Sequence, residues 1–179
     1  MKYLPALLLL LLCGTRALAQ TEAQYLANPT AGNLNMRYAF RDVPFETDTA
    51  HVAGLRLMQR GDISYYVRPA EKPIVNGARV GITYGFIQGR FATLTLAAAT
   101  HDDAAKLLAA LTGLYGQEDL VSKQYRELFP ARHQWTAVRA TLRYEETLSG
   151  ATATMVSTAL MQRYDKQQAA RAKLAAGEL

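Results

Sequence analysis

Two residue pairs that end in glycine bracket an alternating stretch, and this pattern constrains the fold more than any other feature. Asn76-Gly77 and Gln88-Gly89 stand at either end of residues 78–87. Asn-Gly between β-forming residues is the strongest short-range signal for a two-residue hairpin turn, because both central residues need a positive φ that these two tolerate. Every even position between the pairs is apolar or aromatic, which is typical of a strand with one buried face. We therefore predict a strand over 78–87 that joins two hairpins.

Glycine recurs at every fourth position from 77 to 89, a spacing that could also indicate a phosphate-binding loop. Such a loop needs a helix directly after the glycines, or Lys followed by Ser or Thr, and neither follows here. Gly81 and Gly85 instead leave one face of the predicted strand without side chains on either side of Thr83, and we call this the thinned face. An uninterrupted two-residue register would place Gly85 opposite Ala92. Glycine within a strand often marks a bulge or close packing, which is the leading interpretation, and the alternative is a ligand lying on the thinned face.

The clearest helix signal lies over about 102–116. Asp102 and Asp103 suit the positive end of a helix dipole, and Gly116 stands where a glycine commonly ends a helix. The apolar positions share one helical face: Ala104, Leu107, Leu108, Leu111, Leu114 and Tyr115. A second, short helix is predicted over 119–129.

A further hairpin is predicted over 133–160, with Ser149-Gly150 at its tip and Tyr144 opposite Met155. One of its faces is polar and is therefore expected to face solvent; it carries Arg139, Thr141, Arg143, Thr152 and Thr154. Strand-rich halves around one strong helix predict an α+β fold. We expect an antiparallel sheet built from hairpins, with the main amphipathic helix packed on one face.

The N-terminus has the layout of a secretory signal peptide. Lys2 precedes an apolar run of about ten residues, and Ala17-Leu18-Ala19 matches an A-x-A cleavage site. The predicted organisation is a signal peptide (1–19), a flexible N-terminal arm (20–36), a single α+β domain (37–160) and a partly frayed helical tail (161–179). We expect an exported protein, periplasmic or extracellular, without a transmembrane segment after cleavage.

Composition argues against several classes of chemistry. Cys13 is the single cysteine and would leave with the signal peptide, so the mature chain would hold no disulfide, thiol nucleophile or thiolate metal site. Loss of Lys2 and Arg16 would lower the formal net charge from +5 to +3, far from the basic footprint of a nucleic-acid-binding protein. The histidines are scattered, at His51, His101 and His133, and neither HExxH nor G-x-S-x-G occurs. We expect no metal, no cofactor and no nucleic acid, and assign no catalytic residue.

Two groups of side chains are candidates for binding. The aromatic residues are concentrated on predicted strands, where they form either the core or an exposed strip for sugar rings or an apolar partner. Two arginines on the polar face of the last hairpin could contact anionic envelope material or an acidic protein. With the thinned strand face, the candidate binding surface comprises Gly81, Thr83, Gly85, Arg139 and Arg143.

The order of segments carries a family likeness: "YAFRDVPF", "GLRLM", "ISYYVRP", an Asn-Gly hairpin, "ITYGFIQGRFATLTL", a Leu-rich helix ending in "LYG" and a Trp-bearing hairpin. This order resembles a family of small exported bacterial proteins of unknown function, over about residues 38–160. The resemblance implies an envelope location and no established activity. The leading hypothesis is a non-catalytic exported domain that binds or scaffolds an envelope protein or polymer. The alternative is an envelope-polymer hydrolase whose site cannot be recognised from sequence.

The predicted processing site can be checked by mass. Cleavage after Ala19 should give an exported chain that begins at Gln20, partly with Gln20 cyclised. Intact-mass spectrometry of the protein recovered outside the cytoplasm measures this directly. A mass that retains Met1–Ala19 would contradict the secretory interpretation.

Overall fold

The structure is a computed structural model that describes residues 29–119 and 132–177. The predicted signal peptide lies outside the described residues. So does the predicted helix over 119–129, apart from its first residue.

Most of the described strands belong to one sheet. In chain order they are β1 (Ala39–Phe40), β2 (Val43–Pro44), β3 (Arg56–Gln59), β4 (Ile63–Val67), β5 (Ile74–Val75), β6 (Ala78–Arg79), β7 (Gly81–Ile87), β8 (Arg90–Ala98), β9 (Arg132–Thr136), β10 (Ala140–Glu146) and β11 (Ala151–Ser157). Seven of them form a sheet in the order β3-β4-β7-β8-β11-β10-β9, and each neighbouring pair is antiparallel. β1 with β2 and β5 with β6 form two small separate hairpins.

The described helices are α1 (Pro29–Met36), α2 (His101–Tyr115) and α3 (Thr158–Gly177), with a short 3-10 turn at Thr49–His51. α2 is the predicted main helix: the Thr100 hydroxyl accepts a hydrogen bond from the Asp103 amide at 3.1 Å, and Gly116 follows with a φ of 83°. The fold is therefore α+β, as predicted. None of the described helices is long and apolar enough to cross a membrane.

The N-terminal arm differs from the expectation. Residues 29–36 form α1, and the side chain of Leu34 is completely buried in the main core. The interpretation as a flexible arm is therefore wrong for this part of 20–36. The sequence lacks an apolar period here, and the helix is held by tertiary packing rather than by amphipathic pattern.

The core lies between α2 and one face of the sheet, which we call the core face. α2 buries Ala104, Leu107, Ala110, Leu111 and Tyr115 there. The strand aromatics meet it at no more than 2% exposure: Tyr84, Phe86, Phe91, Trp135 and Tyr144. Each large apolar side chain buried in this way contributes about 1.5–3 kcal/mol. These aromatic residues therefore form the core rather than an exposed strip.

The predicted turns at Asn76-Gly77 and Gln88-Gly89 are confirmed, but the register of the β7–β8 hairpin differs from the prediction. Asn76 and Gly77 have φ of 46° and 90°, and Gln88 and Gly89 have 51° and 78°. β8 carries a bulge at Ala92, so that Gly85 pairs with Thr93 rather than Ala92 while Phe86 still pairs with Phe91. The bulge turns both Phe91 and Leu94 toward the core, although they are three residues apart.

The predicted hairpin over 133–160 is two hairpins. β9 and β10 are joined by a turn at Val138-Arg139, and Val138 is 64% exposed there. In the β10–β11 hairpin, Tyr144 pairs with Ala153 rather than Met155. The tip is Leu148-Ser149 and not Ser149-Gly150. Because the shift is two residues, each side chain keeps its predicted face.

Gly150 follows this tip and lies against the neighbouring strand β8. A Cβ added at Gly150 would overlap the carbonyl oxygen of Ala98 on the neighbouring strand. The glycine is therefore required by close approach of two backbones and not by a turn with positive φ.

Gly81 and Gly85 form a matched pair for testing the packing of β7. A Cβ at Gly85 would overlap Thr93 Oγ1 and lie 3.2 Å from Ile63 Cγ2 and 3.3 Å from Tyr65 Cε1, whereas one at Gly81 meets nothing closer than 3.9 Å. Gly85→Val should therefore destabilise the protein by about 1–3 kcal/mol through overpacking. Gly81→Val should leave stability unchanged or raise it, because valine favours a strand.

Urea denaturation of the two variants, with Gly77→Val beside them, measures these effects. Gly77 has open space around it but a φ of 90°, so valine there should cost about 1 kcal/mol or more through backbone strain alone. Equal stability of the Gly81 and Gly85 variants would contradict the packing described for β7.

Candidate functional site

The second face of the sheet, opposite the core face, is covered by α3 over only part of its width. α3 packs Leu160 against Ile87 and Ala92, with Met161 and Tyr164 beside this small cluster. Polar contacts hold the middle of the helix at the same side of the sheet. Gln88 Nε2 donates to Gln167 Oε1 at 3.0 Å, and Arg171 Nη1 lies 3.1 Å from Asp62 Oδ1. Within the described residues, α3 leaves the part of the second face formed by β10 and β9 uncovered.

A row of polar side chains runs across this second face from strand to strand, at matching register positions. Successive register pairs join Thr83, Thr95, Thr154, Arg143 and Gln134 across β7, β8, β11, β10 and β9. The strands of a sheet lie about 4.8 Å apart, so the members of the row are close neighbours. The row is a consequence of the alternation in "TLTL" and "TATM", which sends every second residue to this face.

A cavity of about 500 Å³ opens where this row meets α3. It is lined by Thr141, Arg143, Glu145, Thr152, Thr154, Val156, Met161 and Asp165, which we call the threonine groove. The strands supply its floor and α3 supplies one wall. Its volume lies within the range of about 300–1,000 Å³ that is usual for ligand pockets.

The charges of the threonine groove are only partly paired. Glu145 Oε1 lies 3.4 Å from Arg132 Nε. Arg143 donates its Nε–H to Gln134 Oε1 at 3.1 Å, and no carboxylate in residues 29–119 or 132–177 forms an ion pair with it. Asp165 likewise has no ion-pair partner in that part of the chain.

The structure brings together part of the predicted binding surface. Thr83 and Arg143 lie in the same polar row, and Gly81 is exposed on the same face. Gly85 is also on this face but is buried beneath the Thr93, Ile63 and Tyr65 side chains. Arg139 does not belong to the surface: it lies in the β9–β10 turn, with its guanidinium 4.0 Å from the centre of the Tyr38 ring.

Sequence reasoning missed the wall that α3 adds to the groove. Thr141, Thr152 and Thr154 were predicted on a polar face, and the structure places them in the groove. Asp165 and Met161 come from the predicted tail, whose apolar positions are too sparse to indicate which face would pack. Their position depends on the direct passage from Ser157 of β11 into α3.

A buried polar network anchors the start of α3 on the core side. The Tyr38 hydroxyl bonds to Ser157 Oγ at 2.5 Å and donates to Glu46 Oε1 at 2.8 Å. Ser157 is fully buried, and its Oγ also accepts from the Leu160 amide at 3.3 Å. Burial raises the pKa of Tyr38 from 10.0 to about 12. Ser157 is thus a structural cap and not an accessible nucleophile.

The histidines do not enter the threonine groove. His51 and His101 are exposed, at the 3-10 turn and at the first residue of α2. His133 is buried on the core face with Nδ1 3.8 Å from Glu118 Oε1, and its ring lies against Trp135.

A second cavity, of about 400 Å³, is lined by a charged cluster in which the positive and negative groups pair. Arg41 Nη1 lies 2.6 Å from Glu71 Oε1, and Arg68 forms a bidentate bond to Asp42 at 2.7 and 3.1 Å. Glu71 also accepts a hydrogen bond from the Tyr84 hydroxyl at 2.8 Å. Arg41 has a positive φ of 54° and is held there by these contacts. We interpret this cluster as a clamp between the β1–β2 hairpin and the loop after β4.

Comparison of this chain with known protein families, with curated proteins and with solved structures finds no match in any of the three.

Tyr38→Phe tests the buried network through the pH dependence of stability. The unfolded tyrosine ionises near pH 10 but the folded one only near pH 12, so its contribution is complete below pH 10 and is lost as the pH rises from 10 to 12. The variant should lose about 1–3 kcal/mol at pH 8, because Ser157 keeps a buried hydroxyl with one partner fewer. Urea midpoints at pH 8, 10 and 11 should then fall less steeply than in the wild type. An identical slope would contradict the raised pKa.

Proposed function

We propose that this protein is a non-catalytic, exported domain of the bacterial envelope that binds a ligand or partner segment in the threonine groove. The observation that carries the proposal is the groove itself. It gathers three threonine hydroxyls, an arginine without a carboxylate partner in the described chain and the carboxylate of Asp165 on the helix wall around a cavity of about 500 Å³.

The floor of the groove suits recognition because it is preorganised. Threonine is branched at Cβ and has few χ1 rotamers, and its position on a central strand fixes the backbone beneath it. No side-chain hydrogen bond involves Thr141, Thr152 or Thr154 within residues 29–119 and 132–177. Their hydroxyls are therefore available to solvent or to a bound molecule, and little side-chain entropy is lost on binding.

The lining of the groove favours binding over acyl-transfer chemistry. It consists of threonine, arginine, acidic and aliphatic side chains, and the histidines of the described chain lie elsewhere. The location in the envelope rests on the layout of residues 1–19 and on the family likeness, and both remain part of the proposal.

Hydrolysis of an envelope polymer is the alternative, and one observation favours it. Glu145 and Asp165 line the same cavity, and a pair of carboxylates is the usual machinery of glycoside hydrolysis. Prolonged incubation of the mature protein with purified peptidoglycan, followed by mass spectrometry of soluble fragments, tests this activity. Release that is lost in Asp165→Asn would establish the enzyme and overturn the non-catalytic proposal.

The binding proposal is tested by filling the groove. Thr154→Trp places a large ring on the floor, and Thr152→Trp serves as a second groove variant. Val138→Trp is the matched control, because Val138 is 64% exposed in the β9–β10 turn and does not line the groove. Melting temperatures first establish that each variant is folded.

Capture of envelope components on immobilised mature protein, with quantitative mass spectrometry, then measures binding. We expect the components enriched by wild type to fall at least tenfold with either groove variant and to persist with Val138→Trp. Full retention by both folded groove variants would overturn the assignment of this surface.

A further inference from the structure

We infer that the threonine groove takes a zwitterionic ligand, with a carboxylate and an ammonium joined by a polar spacer, as in a short peptide. The inference deepens the proposed function and rests on it. It follows from how charge and hydrogen-bonding groups are distributed around the groove.

Arg143 is the site for the carboxylate. Its Nε–H donates to Gln134 Oε1 at 3.1 Å, which fixes the plane of the guanidinium, and no group of the described residues hydrogen-bonds to its Nη atoms. A carboxylate bound by arginine forms charge-assisted hydrogen bonds, which are about twice as strong as neutral ones. Thr154, the register partner of Arg143, adds a hydroxyl beside this position.

Asp165 is the site for the ammonium. It lines the groove from α3, on the wall that faces the floor strands. It forms no ion pair within 4.0 Å in the described residues, with Arg143 or with any other cation. The groove thus presents two opposite charges that do not neutralise each other directly.

The space between the two charges suits a polar spacer with some apolar surface. Thr141 and Thr152 offer hydroxyls that can both donate and accept, as the N–H and C=O groups of peptide units require. Val156 and Met161 provide an apolar lining next to them.

The overall charge balance argues against ligands of one sign. Glu145 is paired with Arg132 at 3.4 Å, so Arg143 and Asp165 remain as one positive and one negative pole. A purely anionic ligand would satisfy Arg143 but bring like charge toward Asp165 and Glu145. A purely cationic ligand would satisfy Asp165 but bring like charge toward Arg143. Anionic envelope polymers, one of the expectations from sequence, are therefore disfavoured at this site.

Glycine peptides test the inference, because their spacer length and both charges can be varied separately. The probes are glycine, diglycine, triglycine and tetraglycine, each also as the N-acetylated form and the C-terminal amide. Acetylation removes the ammonium and amidation removes the carboxylate. Binding to the full chain is measured by titration calorimetry and by NMR chemical shifts at low ionic strength.

We expect one peptide length to bind best. Its affinity should fall at least tenfold when the peptide is either N-acetylated or amidated at its C-terminus. Arg143→Gln should weaken the free peptide and make binding insensitive to amidation, whereas Asp165→Asn should make it insensitive to acetylation. Arg139→Gln is the matched control, since Arg139 lies outside the groove over Tyr38, and it should bind like the wild type.

Two results would overturn the inference: blocked peptides that bind as tightly as the free ones, or binding that Arg143→Gln and Asp165→Asn do not change. Absence of binding by every peptide length would also overturn it. The last result leaves the proposed function standing if envelope capture still depends on Thr154. If Thr154→Trp does not reduce envelope capture, the proposed function is contradicted as well.

Discussion

Packing of α2 on a single face of the sheet is the constraint on which the rest of the molecule depends. It commits the aromatic side chains of β7–β11 to that face, with Phe91 stacked on Phe45 at 4.4 Å between ring centres. Trp135 Nε1 and the Tyr144 hydroxyl donate to the carbonyls of Gly116 and Ala104, which ties the sheet to both ends of the helix. Because strands alternate, the threonines between the core residues then face the other way, where α3 covers only part of the sheet.

Local patterns predicted a large share of this fold. The two glycine turns, the Gly116 end of α2 and the polar face of the last hairpin were all readable from short stretches, since each depends on φ, on the helix end or on alternation. The errors arose where a contact with a distant part of the backbone determines the local structure. Gly150 was assigned to a turn but is required by the approach of Ala98, and the Ala92 bulge shifts the register by one residue. The spacing of three between Phe91 and Leu94 was the available signal for that bulge.

Only the floor of the candidate site could be predicted from the sequence. Thr83 and Arg143 come from strands that are distant in sequence, and the sheet order places them in one row. Arg139 was wrongly grouped with Arg143, because a turn at Val138-Arg139 interrupts what the pattern presented as one strand. The wall could not be predicted, since the docking of α3 rests on few apolar residues and on polar contacts such as that of Arg171 with Asp62.

The passage from β11 into α3 has no intervening loop, and Ser157 closes it by capping the helix. The β11 part of the floor and the α3 wall of the threonine groove thus belong to one continuous stretch of backbone, residues 151–165, while β10 supplies the rest of the floor. The distance between this wall and the floor is therefore set by the angle between β11 and α3 at Ser157 and by the contacts of Gln167 and Arg171 with Gln88 and Asp62 farther along the helix. Beyond Arg171 the helix continues to Gly177 with every residue exposed, so the position of the groove wall depends on the earlier turns of α3.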